Sequence, residues 1–135
     1  MKEFSFYKTI IKDKFIGLGV TPSIAEDVSD SLVLATSRGI RSHGINLVSH
    51  YGRSVLTGRK NPNPNFKINC KYSSSKSLDA DHTFGASAGY YAIKNILPEV
   101  KKYGISSIGV YNSSHCASLT SIALQAVKEG MIFIG

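Results

Sequence analysis

The sequence predicts an α/β fold, in which a small N-terminal helical lobe leads into a mixed, mainly parallel sheet domain. Three observations predict it. Apolar residues recur at helical spacing through the first 58 residues, and an Asn-Pro-rich stretch then breaks the pattern. Beyond the break, short apolar runs alternate with helical stripes, as in a chain that builds a sheet covered by helices.

Phe4, Tyr7, Ile11, Phe15 and Leu18 recur at steps of three and four, which predicts a helix over 3–18 that stops at Gly19. Thr21 is an N-cap candidate, Pro22 suits the first helical position, and Ile24, Val28, Leu32 and Ala35 form the buried stripe of a second helix ending near Gly39. Ile45, Val48, Val55 and Leu56 predict a third helix, with Ser42 as its cap and Gly58 as its stop. GRKNPNPN, residues 58–65, is the clearest linker, so the division expected is a helical lobe over 1–60 and an α/β part over 61–135.

In the second part, Phe66, Ile68 and Cys70 alternate with polar residues, and SLDAD returns as the other strand of a hairpin. Ile93, Ile96, Leu97 and Val100 mark a helix with Pro98 inside it, where a kink or a new turn is expected. Asp81 or Thr83 is expected to cap that helix. Residues 105–111 read as a strand, and Leu119, Ile122, Ala123 and Ala126 stripe the next helix. MIFI follows as a second buried strand, so 105–134 reads as one βαβ unit. A sheet ending on so apolar a strand suggests the amino-terminal portion of something longer, or a chain completed by a partner.

Composition excludes several classes. With 42% hydrophobic and 10% aromatic residues the chain is not disordered, and no apolar run approaches a bilayer's thickness. Its amino terminus carries charges through its apolar positions, unlike a secretory signal. Cys70 and Cys116 follow no metal or redox spacing, which makes a reducing, cytoplasmic setting the default. The charge of +7 attracts anions, but the basic residues are scattered and no stacking aromatics interleave them. They read as solvated lysines, and no nucleic-acid partner or membrane is expected.

The chemistry concentrates at ISSIGVYNSSHCA, residues 105–117, where an apolar run gives way to polar residues, His115 and a new helix. Open α/β sheets build their sites at such strand-to-helix junctions, and an imidazole there can exchange a proton near neutral pH. Arg41-Ser42-His43-Gly44 places a second imidazole at a helix start, with Gly44 permitting close backbone approach. The plainer reading of each is a capped corner with a satisfied histidine. Asp79, Asp81 and His82 lack any metal-ligand spacing. There is no Gly-x-Ser-x-Gly elbow, Walker loop or Gly-x-Gly-x-x-Gly, so neither a serine hydrolase nor an ordinary Rossmann or P-loop site is supported.

Three blocks in register, ATSRGIRSHGINLVSHYGRSVLTGRKNPNP, SLDADHTFGASAG and KKYGISSIGVYNSSHCA, resemble the malate/L-lactate dehydrogenase type 2 family. That family includes ureidoglycolate, sulfolactate and diketogulonate oxidoreductases. The resemblance implies a non-Rossmann dehydrogenase fold and an NAD or NADP cofactor. It further implies the interconversion of a 2-hydroxy acid with a 2-oxo or related imino acid, as a homodimer. It assigns acid/base chemistry to one of the two histidines matching His43 and His115, with Ser42 and Tyr51 as substrate-site neighbours. Most dinucleotide contacts are expected beyond Gly135. Leu47 stands where the family often has an Arg suited to a substrate carboxylate, leaving Arg41 or Arg53 to substitute. Ala117 and Ser121 stand where a Gly and a Tyr are usual. A non-catalytic remnant or partner-binding subunit is the alternative that these departures suggest.

Overall fold

The computed structural model describes residues 2–135, with side chains from residue 4 onward. Helix α1 (Lys2–Gly17) and helix α2 (Pro22–Ser37) pack side by side, followed by 3-10 turns at Arg41–His43 and Ile45–Leu47 and by α3 (Val48–Leu56). Strands β1 (Lys67–Tyr72) and β2 (Ser75–Asp79) form the expected hairpin. Helix α4 (Gly85–Tyr103) then crosses to β3 (Ser107–Tyr111), and α5 (Leu119–Val127) follows. The sheet order is β1-β2-β3, with β1 and β2 antiparallel and β2 and β3 parallel, Ser75 facing Ser107 and Asp79 facing Tyr111.

The parallel unit is therefore β2-α4-β3, one step earlier than the sequence pattern suggests. Residues 131–135 form no strand. Ile132 and Ile134 are 93% and 95% exposed, while Met131 and Phe133 pack against the Ile93, Ile96, Ile122 and Ala126 cluster. An apolar tetrapeptide has strand composition, but a strand also needs backbone pairing, and residues 131–135 pair with none of the three strands described. Pro98 lies within α4, whose helical run continues through it from Gly85 to Tyr103.

Three expected capping bonds do not form. Thr21 holds the N-cap position before Pro22, as expected, but its hydroxyl donates to the carbonyl of Pro62 and not to its own helix. Ser42 turns to His43, and α3 begins only at Val48, after the two 3-10 turns. Asp81 accepts from the Asn61 side chain and the Asn65 amide, and Thr83 donates to the Asn61 carbonyl. In each case a side chain suited to capping serves the 58–65 linker or the neighbouring imidazole instead, because local side-chain bonds compete with helix ends.

One core joins the helices to the sheet side. Ile11, Phe15, Val28, Leu32 and Tyr51 pack with Phe84 and Ala117, and the Phe15 and Phe84 rings meet edge-on at 5.6 Å. The lysines of α1 reach α2: Lys8 pairs with Glu26 and Asp30, and Lys12 with Glu26. No helix among the described residues is long and apolar enough to cross a membrane.

Deeper between α2 and α4, Asp27 accepts a hydrogen bond from Ser87 at 2.5 Å, and burial pushes its carboxyl up to about 6. A carboxyl raised on folding favours the protonated form, so its contribution is most favourable in acid and is lost as pH rises from about 4 to about 6. Unfolding monitored in urea should show this one contribution falling by roughly 1–2 kcal/mol across that interval, allowing for solvent screening. Asp27→Asn should remove that slope.

Candidate functional site

Parallel pairing places the carboxyl ends of β2 and β3 side by side, so the 80–84 and 112–118 loops leave the sheet together, at the start of α4. Backbone bonds from Ala80 to Tyr111 and from His82 to Asn112 extend the ladder into both loops. Asp79 accepts from the Asp81 amide and the Asn112 side chain, which brace the turn and hold its carboxyl below the usual range. These acids build the corner. Asp81, His82, Asn112 and Ala117 take positive φ values of 49°, 60°, 47° and 57°, which a chain without such anchors would avoid.

Gly85 lets the second loop lie on the helix start. A Cβ at this position would sit 2.3 Å from the Ser114 carbonyl oxygen and 2.7 Å from Cys116 Cα. The glycine ending the LDADHTFG block thus meets a steric demand from a segment almost thirty residues on. Gly44 has a similar function: a Cβ there would meet Thr36 Oγ1 at 2.3 Å, and that same hydroxyl oxygen accepts the Ile45 amide.

This scaffold brings His43 and His115 together, their rings stacked at 5.4 Å between centroids and 29° between planes. Ser42 Oγ lies 2.8 Å from His43 Nδ1 and orients that ring. His115 is oriented from below. Tyr51, 1% exposed, brings its hydroxyl to 2.9 Å from His115 Nδ1 and 3.2 Å from the His115 carbonyl oxygen. Tyr51 is therefore a buried support for the imidazole, where the family resemblance implies a neighbour of the substrate. Burial pushes its phenol up to about 12, so it stays protonated.

The Tyr51 hydroxyl can serve either tautomer of His115. It donates to Nδ1 when that atom carries a lone pair, which the Ala117 amide at 3.3 Å also favours. It accepts from Nδ1–H when its own hydrogen turns to the His115 carbonyl. The second arrangement presents a lone pair at Nε2, the nitrogen that no described protein group occupies. Partial burial, then His43, Lys60 and His50, hold the His115 imidazole below its ordinary value. Every charged or chargeable neighbour in that set is basic, which makes the site attractive to an anion.

Lys60 is the residue that sequence reasoning missed. It reads as one more solvated lysine, yet it is 4% exposed. The amides of Arg59 and Lys60 both donate to the Ser54 carbonyl, closing a tight turn after α3. The Lys60 ammonium lies 4.7 Å from the Tyr51 ring centroid and 4.9 Å from that of Phe84, and it donates to Ser114 Oγ. Ser114 in turn donates to the Thr83 carbonyl at 2.8 Å. Only the inward turn of the linker gives Lys60 this environment, and no periodicity encodes it. Burial lowers its ammonium to about 8.

A separate cavity of about 650 Å³, lined by Asp27, Phe66, Ser87, Tyr90 and Tyr91, contains none of these imidazoles. Cys116 packs against the Ile93 and Ile122 cluster as a small apolar group, and both cysteines are free.

The fold has counterparts among known proteins. Residues 3–135 match the family model described as malate/L-lactate dehydrogenase, and the chain belongs to that family. It is 38% identical over 117 residues to a malate dehydrogenase of Pyrococcus abyssi, covering 87% of this chain and 32% of that protein. It is 27% identical over 125 residues to an Escherichia coli ureidoglycolate dehydrogenase (NAD(+)), covering 93% and 36%. The solved structure of malate dehydrogenase from Pyrococcus horikoshii superposes with a TM-score of 0.90 at 29% identity, over 94% of this chain and 36% of that one. The chain thus spans about a third of the length of these relatives.

The Gly85 contact yields a direct test. Gly85→Ala should cost about 1–3 kcal/mol of stability, because the clashing atoms are backbone and cannot swing aside. A lowered urea midpoint measures it. An unchanged midpoint would show that the 112–118 loop does not press on α4.

Proposed function

We propose that this chain provides the proton-transfer half of a malate- or lactate-type 2-hydroxy-acid dehydrogenase, with His115 exchanging the proton. The carrying observation is the His43–His115 pair, with His115 tied to Tyr51 through one ring nitrogen and open at the other. The malate and ureidoglycolate dehydrogenases among its relatives support the substrate class.

The imidazole pair fits one half of such a reaction. A nicotinamide dinucleotide, NAD or NADP, supplies the hydride acceptor that no side chain here can provide. The described residues furnish no glycine-rich dinucleotide cradle, so none of them is assigned to hold it. In the oxidative direction, His115 Nε2 accepts the substrate hydroxyl proton while Nδ1–H donates to Tyr51. The imidazolium so formed keeps that bond to Tyr51, while the long contact from the Ala117 amide to Nδ1 is given up. In reduction the same nitrogen returns the proton to the nascent alkoxide. His43, held by Ser42, lies against the imidazole face and limits where the hydroxyl can sit.

Basic surroundings draw in a carboxylate substrate. Arg41, exposed in the same turn as Ser42 and His43, is our candidate for its carboxylate, since Leu47 cannot pair with it. Arg53, exposed on α3, is the other candidate. A homodimer in the cytoplasm belongs to the same proposal, with the family as its support.

The test uses the full-length protein. His115→Ala should lower kcat for 2-oxo-acid reduction by about 10²–10⁴-fold with the circular dichroism spectrum unchanged. Near-normal turnover would remove His115 from the chemistry. For oxidation, which needs neutral imidazole, kcat/KM should fall as pH drops through a value below 6.5, the direction set by the lowered His115. A limb at or above 6.5 would contradict that assignment.

A further inference from the structure

The Lys60 ammonium is buried among Tyr51, Phe84 and Ser114, and none of the carboxylate ion pairs among the described residues involves it. Burying a cation without a counter-charge opposes folding, so such a group is poorly explained as a stabilising feature. Two contacts connect it to the imidazole pair. Its donation to Ser114 grips the residue immediately before His115, and it lies over the face of the tyrosine whose hydroxyl reaches His115 Nδ1.

We propose that Lys60 is a positioning residue for the dehydrogenase reaction: it anchors the His115 loop through Ser114 and sets a fixed positive charge behind the imidazole. Cation–π contact with Tyr51 and Phe84 partly replaces the water its ammonium has lost. The groups that face His115 are Tyr51 and His50 from α3, His43 from the first 3-10 turn, and Lys60 from the linker. Lys60 is mainly charged at neutral pH, because its own titration lies near 8. Below that pH the ammonium opposes protonation of the ring and keeps His115 ready to accept a proton. Above it the ammonium discharges and that bias weakens, although Ser114 keeps a hydrogen-bond partner.

This inference rests on His115 as the proton-exchanging group, but its test reads a titration and not turnover. Full-length protein with ¹³C-labelled histidine is titrated by NMR without substrate or cofactor, the His115 resonance being assigned by its loss in His115→Ala. Lys60→Met, which keeps the length and removes the charge, should raise the His115 midpoint by roughly half a pH unit, the size expected of one charge a few ångströms away in a partly solvated setting. The thermal midpoint should hold or rise. Lys60→Gln, which still donates to Ser114, should give the same rise and decides the matter if the methionine variant does not fold. An unchanged His115 midpoint in the folded variant, whatever happens to stability, would overturn the proposal. Loss of turnover in His115→Ala bears on the proposed function alone.

Discussion

A phenol hydroxyl, buried at the middle of α3, reaches the Nδ1 atom of an imidazole 64 residues further along the chain, and the arrangement of the site depends on that 2.9 Å contact. It requires α3 to be packed against the start of α4, which the shared core of Phe15, Tyr51 and Phe84 enforces. It also requires the 112–118 loop to fold back over the same helix start. Neither part of the chain can place its histidine alone: His43 comes from the helical lobe, His115 from the sheet. The pair exists because one core spans both.

The support under the loop is largely polar and local. Asp79 holds Asn112, Asp81 holds the linker through Asn61 and Asn65, and Ser114 connects Thr83 to Lys60. Such networks are rigid only when each member is satisfied, and here the acids spend their acceptor capacity on backbone and amide donors. That gives a physical reason for the LDADHTFG block that does not involve catalysis: two carboxylates brace a strained corner, and the glycine clears space for the loop. In the proposed function the imidazoles carry the chemistry, and the acids keep them in place.

The helices were legible because their apolar stripes answer to a single period. Ile24, Val28, Leu32 and Ala35 all prove buried, as the spacing predicts. The strand-to-helix junction at His115 was legible for the same reason, since polar residues follow an apolar run there. Capping bonds were misread: the hydroxyls of Ser42, Thr21 and Thr83 each have a long-range or neighbouring partner that outcompetes the helix end, although Thr21 keeps the N-cap position, and a sequence does not display such partners. MIFI failed as a strand because pairing is a property of two segments. Lys60 was the larger omission. Its burial follows from a turn closed on Ser54, and its type suggests the opposite environment.

The central claim is that His115, held at one nitrogen by Tyr51, exchanges the substrate proton at the other. Chemical rescue measures this most directly. Full-length His115→Ala protein is assayed for 2-hydroxy-acid oxidation with a series of added imidazoles of graded basicity. The account predicts that activity returns in proportion to imidazole concentration, rising with the basicity of the free base added. A variant that is inactive yet indifferent to every imidazole, in a fold that retains the site, would contradict it.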